Sequence, residues 1–169
     1  MAISPRSLAV TMALRSVLLA YDGSPEATAA LDIVAEITGR TEVSVTIVFV
    51  LDTARLAYGL LLPAGASVDQ TVEAAEGELV RAKALLEGRG VRHVETQLLK
   101  GRPVERILAY AEEHPPDLIV AGGRALSEAG RLFLGSVSDG ILHHARGSVL
   151  IVRGPGRPSP TPNRSVPGD

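Results

Sequence analysis

The sequence predicts an α/β fold, an open, doubly wound parallel sheet with helices on both faces. Three observations carry this prediction. Short β-rich runs alternate with helical stretches five times along the chain. Most of those runs are continuously apolar, as strands buried on both faces must be. The segments between them are long enough for the crossovers that parallel strands require. Right-handed crossovers then restrict the topology to doubly wound orders.

Each element follows in turn. Residues 16–21 (SVLLAY) form a short apolar strand, and Ser24-Pro25-Glu26 supplies an N-cap, a proline at the first helical position and an acidic first turn. The spacing predicts a helix from Ser24 to about Thr38, closed by Gly39. Residues 42–51 (EVSVTIVFVL) are β-branched almost throughout and form the second strand. Residues 56–65 (LAYGLLLPAG) have no clean period. From 68 to 87, Val72, Ala75, Leu79, Ala82 and Leu86 recur at helical spacing before Gly88 and Gly90 stop the helix. Residues 91–99 alternate as a third strand. Gly101-Arg102-Pro103 opens a helix to about Glu113, which Pro115-Pro116 terminates, and 117–121 (DLIVA) is a fourth apolar strand. A loop from Gly122 to Gly135, a helix over 136–145 and a fifth strand over 148–153 (SVLIVR) complete the pattern.

Composition narrows the function. Of 169 residues, 46% are hydrophobic and only 3% aromatic, with no Trp, so the core is aliphatic and stacking platforms for single-stranded nucleic acid are excluded. Seventeen basic against nineteen acidic side chains give a net charge of -2, which offers no drive toward nucleic acid or an anionic membrane. The absence of Cys excludes disulfides, thiolate nucleophiles and Cys-type metal sites. A signal peptide is not expected, because Arg15 splits the early apolar run and no small-x-small cleavage site follows, and residues 1–13 read as a flexible extension. Residues 14–153 form the domain. The tail, 154–169, carries five of the eleven prolines and reads as disordered. No stretch approaches the roughly 20 apolar residues of a membrane helix, and a cytoplasmic location is expected.

In open parallel sheets, ligands bind beyond the carboxyl ends of the strands where the winding reverses. That directs attention to Tyr21-Asp22-Gly23 and Ala121-Gly122-Gly123. These places hold the segments AYDGSPEATAAL, KGRPVERILAYAEEHPPDLIVAGGR and FLGSVSDGILHHARGSVLIV. In order and spacing, from about Ser16 to Arg153, the chain resembles the universal stress protein family. The resemblance implies a five-stranded domain of strand order 3-2-1-4-5, of the adenine nucleotide alpha hydrolase-like type. In one branch of the family it implies ATP binding through Gly-x-x-Gly-x9-Gly-Ser/Thr. On this chain Gly122 takes the first place of that pattern and Gly135-Ser136 the last two, while the second glycine is replaced by Ala125. The resemblance further assigns Asp22 to the nucleoside end of the ligand, and to Val50 backbone hydrogen bonds with adenine, its side chain being core. Ala121 adjoins the same strand end.

The loop can also be read from its own chemistry. Gly135 lets backbone approach a phosphate, and Ser136, Val137 and Ser138 present the unpaired N–H groups of a helix N-terminus, an anion site that needs no lysine. Without a ligand, Ser136 as N-cap with Asp139 three residues on reads as a capping-box-like pattern. Alanine at 125 costs on the order of 1 kcal/mol if the backbone there has positive φ. Arg124 either offsets that loss with a charged hydrogen bond to phosphate or ribose, or is a solvated loop arginine. Asp22 serves the ligand or makes a turn before Ser24. A divalent metal, Mg2+ or Mn2+, would arrive with the triphosphate, because no clustered carboxylates or histidine pairs form a protein cage.

Catalytic patterns fail by comparison. Ser136-Val137-Ser138-Asp139-Gly140 lacks the first glycine of a nucleophile elbow, and no Asp then His follows at a workable distance. His143 and His144 point about 100° apart on one helix and cannot chelate together. No Walker lysine, GxGxxG or HExxH pattern occurs. The expectation is therefore an ATP-binding regulatory or sensing domain, with slow hydrolysis at most. The alternative is a dimeric stress-response interaction protein of the same fold that has lost nucleotide binding. A nucleotide-consuming enzyme of related architecture would need His or Lys phosphate ligands near strand one, which Asp22-Gly23-Ser24 does not offer. Residues 149–152, at the sheet edge, would pair with a second copy to make a homodimer.

Overall fold

Strand register and helix caps are described from a computed structural model covering residues 14–58, 67–123 and 135–154. The expected extension 1–13, the tail from 155 onward, and Arg124 and Ala125 lie outside the described residues, as does most of the unassigned 56–65 stretch. Five strands, β1 (Ser16–Ala20), β2 (Ser44–Asp52), β3 (His93–Gly101), β4 (Leu118–Gly123) and β5 (Ser148–Arg153), form one all-parallel sheet in the order β3-β2-β1-β4-β5. Between them run α1 (Pro25–Thr38), α2 (Thr53–Ala57), α3 (Val68–Gly88), α4 (Pro103–Glu113) and α5 (Ser136–His144).

Period-two alternation along the central strand divides the core into two layers. Val17 and Leu19 of β1 pack with Val45, Ile47 and Val120 beneath α1 and α3, whereas Leu18 and Ala20 pack with Val48, Ile119, Ile107 and Ile141 beneath α4 and α5. Helix α1 buries Ala27, Ala30, Leu31, Val34, Ala35 and Thr38, one helical stripe. Thr38 is tolerated there because its hydroxyl donates to the Val34 carbonyl at 2.7 Å. Ser24 caps α1 as expected, its side chain accepting from the Ala27 N–H.

Several boundaries differ from the sequence expectation. The strand read as 117–121 extends through Gly122 and Gly123, which pair with Val152 and Arg153 of β5, so the glycine pair is strand rather than loop. Likewise β2 and β3 start later and end later than expected, because their ladder runs from Ser44–His93 to Asp52–Gly101. The short helix α2 had no periodic signal; Asp52 nucleates it, its carboxylate accepting from the N–H groups of Ala54 and Arg55. At the close of α1, Gly39 has φ −57 and the left-handed residue is Arg40, at φ 64. Gly39 is needed for space, since a Cβ there would lie 2.7 Å from the Ala35 carbonyl oxygen.

Candidate functional site

A cleft of about 920 Å³ opens over the carboxyl ends of β1, β2 and β4, within the size range of small-ligand sites. This is where the winding reverses: β1 leads outward to β2 and β3, and β4 returns to the other side of β1. Its floor is apolar, with Ala20, Val48, Ile107 and Ala121, and its rim is polar.

Most of the expected residues converge here. Asp22, Val50, Ala121, Gly122, Gly135, Ser136, Val137 and Ser138 all line the cleft. Asp22 is exposed, and its carboxylate already accepts the Ser24 N–H at 3.0 Å, with Gly23 at φ 76 completing the turn. The turn role is therefore realised by Oδ1, and no hydrogen bond among the described residues engages Oδ2.

Val50 is placed by register. The Val48 carbonyl accepts the Tyr21 N–H at 2.9 Å, the last bond between β2 and the β1 segment. Alternation directs the N–H and C=O of Val50 to the same side, past the end of β1, where the cleft begins. Its side chain is half-buried against Ile107 and its neighbours.

At α5 the structure corrects the capping expectation. The N-cap is Gly135, not Ser136, and among the described residues no side chain caps the helix. The first helical hydrogen bond runs from the Asp139 N–H to the Gly135 carbonyl, so the N–H groups of Ser136, Val137 and Ser138 precede the ladder. Ser138 is buried, and its hydroxyl donates back to the Gly135 carbonyl at 2.9 Å. Asp139 lies 3.5 Å from His143 Nδ1 rather than reaching back to the cap. Gly135 adopts φ −55 and ψ 153, a conformation open to other residues.

Gly122 has a different constraint. A Cβ there would lie 2.5 Å from the carbonyl carbon of Glu26 and 2.7 Å from the Ala27 nitrogen. The glycine lets α1 close over β4, quite apart from any ligand.

Sequence reasoning missed the far wall. Thr71, Ala74 and Glu78 of α3 and Arg102 and Val104 at the start of α4 also line the cleft. Arg102 directly follows β3, at the same carboxyl edge of the sheet, which was the available signal. The α3 residues are half a helix from any motif and become neighbours only through packing. Two ion pairs sit on this wall, Arg81–Glu78 at 2.6 Å and Arg102–Glu105 at 2.9 Å. The histidines lie elsewhere. His143 and His144 are exposed, each with Nδ1 at 2.9 Å from the carbonyl four residues back. Among the described residues no group of three His, Asp or Glu side chains could hold a metal ion, and no helix is long and apolar enough to cross a membrane.

Fold and cleft together define a doubly wound α/β domain with an open cleft at its switch point. The family model described as "Universal stress protein family" matches residues 13–153, and the chain belongs to that family. A universal stress protein of Staphylococcus aureus (strain USA300) is 34% identical over 140 residues, covering 82% of this chain and 84% of the relative. The fold is shared with a universal stress protein solved in complex with cAMP, with a TM-score of 0.61 at 23% identity over 85% of this chain and 99% of that one. It is also shared with an Arabidopsis thaliana family member solved with AMP bound, with a TM-score of 0.60 at 18% identity over 88% and 97%.

Proposed function

We propose that this protein binds an adenine nucleotide, ATP in particular, as a regulatory or sensing ligand in a stress response. The observation that carries the reading is the uncapped start of α5. Three N–H donors of cleft-lining residues stand at the positive end of a helix dipole, and among the described residues no side chain caps them. In this reading the phosphate sits on Ser136, Val137 and Ser138, the base meets the backbone of Val50, and Asp22 engages the ribose end. Two relatives of the same fold carry adenine nucleotides, AMP in one and cAMP in the other. Ala121 and Gly122 form the wall beneath the phosphate, and Arg124 and Ala125 follow them in sequence. Any Mg2+ or Mn2+ arrives with the triphosphate.

Isothermal titration of the purified protein with ATP and magnesium tests this, after a denatured sample has been checked for co-purified nucleotide. Low-micromolar binding that weakens in Asp22→Ala supports it. Folded, empty protein that takes up no ATP at millimolar concentration would instead favour a dimeric interaction protein without nucleotide. Ala125, which stands where the family pattern has its second glycine, favours that second reading, and recovery of binding in Ala125→Gly would assign the loss to it.

A further inference from the structure

Gly140 is the fifth residue of α5 and interrupts a helix of only nine residues. Glycine is among the poorest helix formers, and so short a helix has little propensity to spare. Packing supplies the reason for it. A Cβ on Gly140 would lie 2.7 Å from Val104 Cγ2 and 2.9 Å from Val104 Cγ1, with Val104 Cβ itself at 3.4 Å. Carbon atoms in contact stand about 3.5–4.0 Å apart. Turning the Val104 side chain does not relieve the clash, because every staggered rotamer leaves at least one of the two near positions filled. Helix α5 therefore rests on α4 through the bare backbone of Gly140.

That contact adjoins the cleft. Val104 is the second residue of α4 and lines the cleft, while Ser136, one turn before Gly140, lies on the same side of α5. Both helices cover one face of the sheet, where Ile107 of α4 and Ile141 of α5 enter the same core layer. Among the described residues α4 is backed by β2 and β3, whereas α5 rests on β4 and β5 at the end of the sheet. Of the two, α5 has room to step sideways, and a step would carry the N–H groups of Ser136, Val137 and Ser138 with it. A binding constellation keeps its strength only when held within about 0.5 Å of its productive geometry.

We propose that Gly140 is a positioning residue for the cleft. Its missing side chain lets Val104 set the seat of α5, and so fixes the three N–H donors relative to the backbone of Val50. Gly140 is not part of the cleft lining and acts only through the helix that carries it. The proposal rests on the reading above that places phosphate at the start of α5.

Titrations with AMP and with adenosine test it, on the wild type, Gly140→Ala, Val104→Ala and the double variant. Adenosine has no phosphate to meet α5, so the ratio of AMP to adenosine affinity reads the donors apart from the rest of the cleft. Gly140→Ala should lower that ratio about fivefold or more, since a displaced hydrogen bond to a charged group loses much of its strength. Because Val104 lines the cleft, the double variant is compared with Val104→Ala and not with the wild type. With both valine methyls gone, the Gly140 substitution should change the ratio less than about twofold. Thermal melts report whether each variant is folded. A ratio unchanged in Gly140→Ala, or one that falls as far in the Val104→Ala background, overturns the proposal and leaves the nucleotide reading standing. So does a Gly140→Ala chain that no longer folds, since the glycine would then serve stability and not the donors. Wild type that binds AMP no more tightly than adenosine removes the phosphate from α5, and the proposal with it.

Discussion

Gly122 and Glu26 meet backbone to side-chain position: the Glu26 carbonyl carbon stands 2.5 Å from where a Cβ on Gly122 would begin. The obstructing atoms are helix backbone, which cannot rotate away as a flexible side chain would. Gly122→Ala must therefore push α1 off β4, and overpacking of this kind costs about 1–3 kcal/mol. Urea denaturation should show the midpoint falling with an unchanged slope. An unchanged midpoint would mean that α1 shifts freely and that the glycine is retained for the cleft alone. A lost affinity in this variant reports on folding first, which makes it a poor probe of ligand contact.

Ser136→Pro separates the anion site from the helix that presents it. Proline is well suited to the first helical position, where its missing N–H removes one unpaired donor and no ladder bond. Gly135 already has φ −55 and ψ 153, the extended conformation that a residue before proline prefers. Ser136 is exposed, so its side chain is dispensable to packing. The melting temperature should hold, while nucleotide affinity drops about tenfold or more, the scale of one hydrogen bond to a charged group. Titration and a thermal melt on the same preparation check both halves. Undiminished affinity would move the phosphate away from α5.

How far the sequence reveals this site depends on whether each feature is local. The strand ends, Ser24 as a cap and the approach of Asp22 to Gly135–Ser138 follow from apolar runs, capping chemistry and the switch-point rule. The start of α5 at Ser136 is legible, but its cap is not: Ser136 and Asp139 have the spacing of a capping box, while the N-cap is Gly135. Gly122 and Gly123 look like a loop to any propensity argument, and only the ladder to Val152 and Arg153 makes them strand. Glu26 carries no motif at all. It reaches the wall of the cleft because Gly122 and Gly154 leave room beside it, a relation across about a hundred residues that no local pattern encodes.

Asp117 ties two neighbouring strands together at the opposite edge of the sheet and sets an acid limit on stability. Its carboxylate accepts from the N–H groups of Arg15 at 2.8 Å and Ser16 at 2.9 Å, and from the Ser16 hydroxyl at 3.2 Å. Those hydrogen bonds, the one from Arg15 foremost, favour the charged form and hold its pKa below the usual 3.8. A depressed folded pKa contributes stability above the unfolded value, lost as pH falls below 3.8 and through the folded value. Asp117→Asn should therefore melt at a lower temperature than wild type at neutral pH, with the two curves converging in acid. A gap that persists unchanged at the lowest pH would trace the loss to geometry instead of charge.

The free edge of β5 gives the last expectation, that the protein pairs with itself there. Among the described residues β5 bonds only to β4, so every second backbone group along Ser148–Arg153 points outward from the sheet. Val149 and Ile151 pack into one core layer and Leu150 and Val152 into the other, each half-buried. Both faces of the strand are thus held by its own domain, with its outer hydrogen-bonding edge left, among the described residues, as the pairing surface. A second copy related by a two-fold axis would satisfy those groups with an antiparallel ladder. Light scattering at tens of micromolar should then give twice the 17.7 kDa of one chain. Hydrogen exchange should show consecutive slow amides along β5, since inward and outward groups are both bonded. A monomer mass with alternating fast and slow amides would leave the edge unpaired and place any self-association on another face.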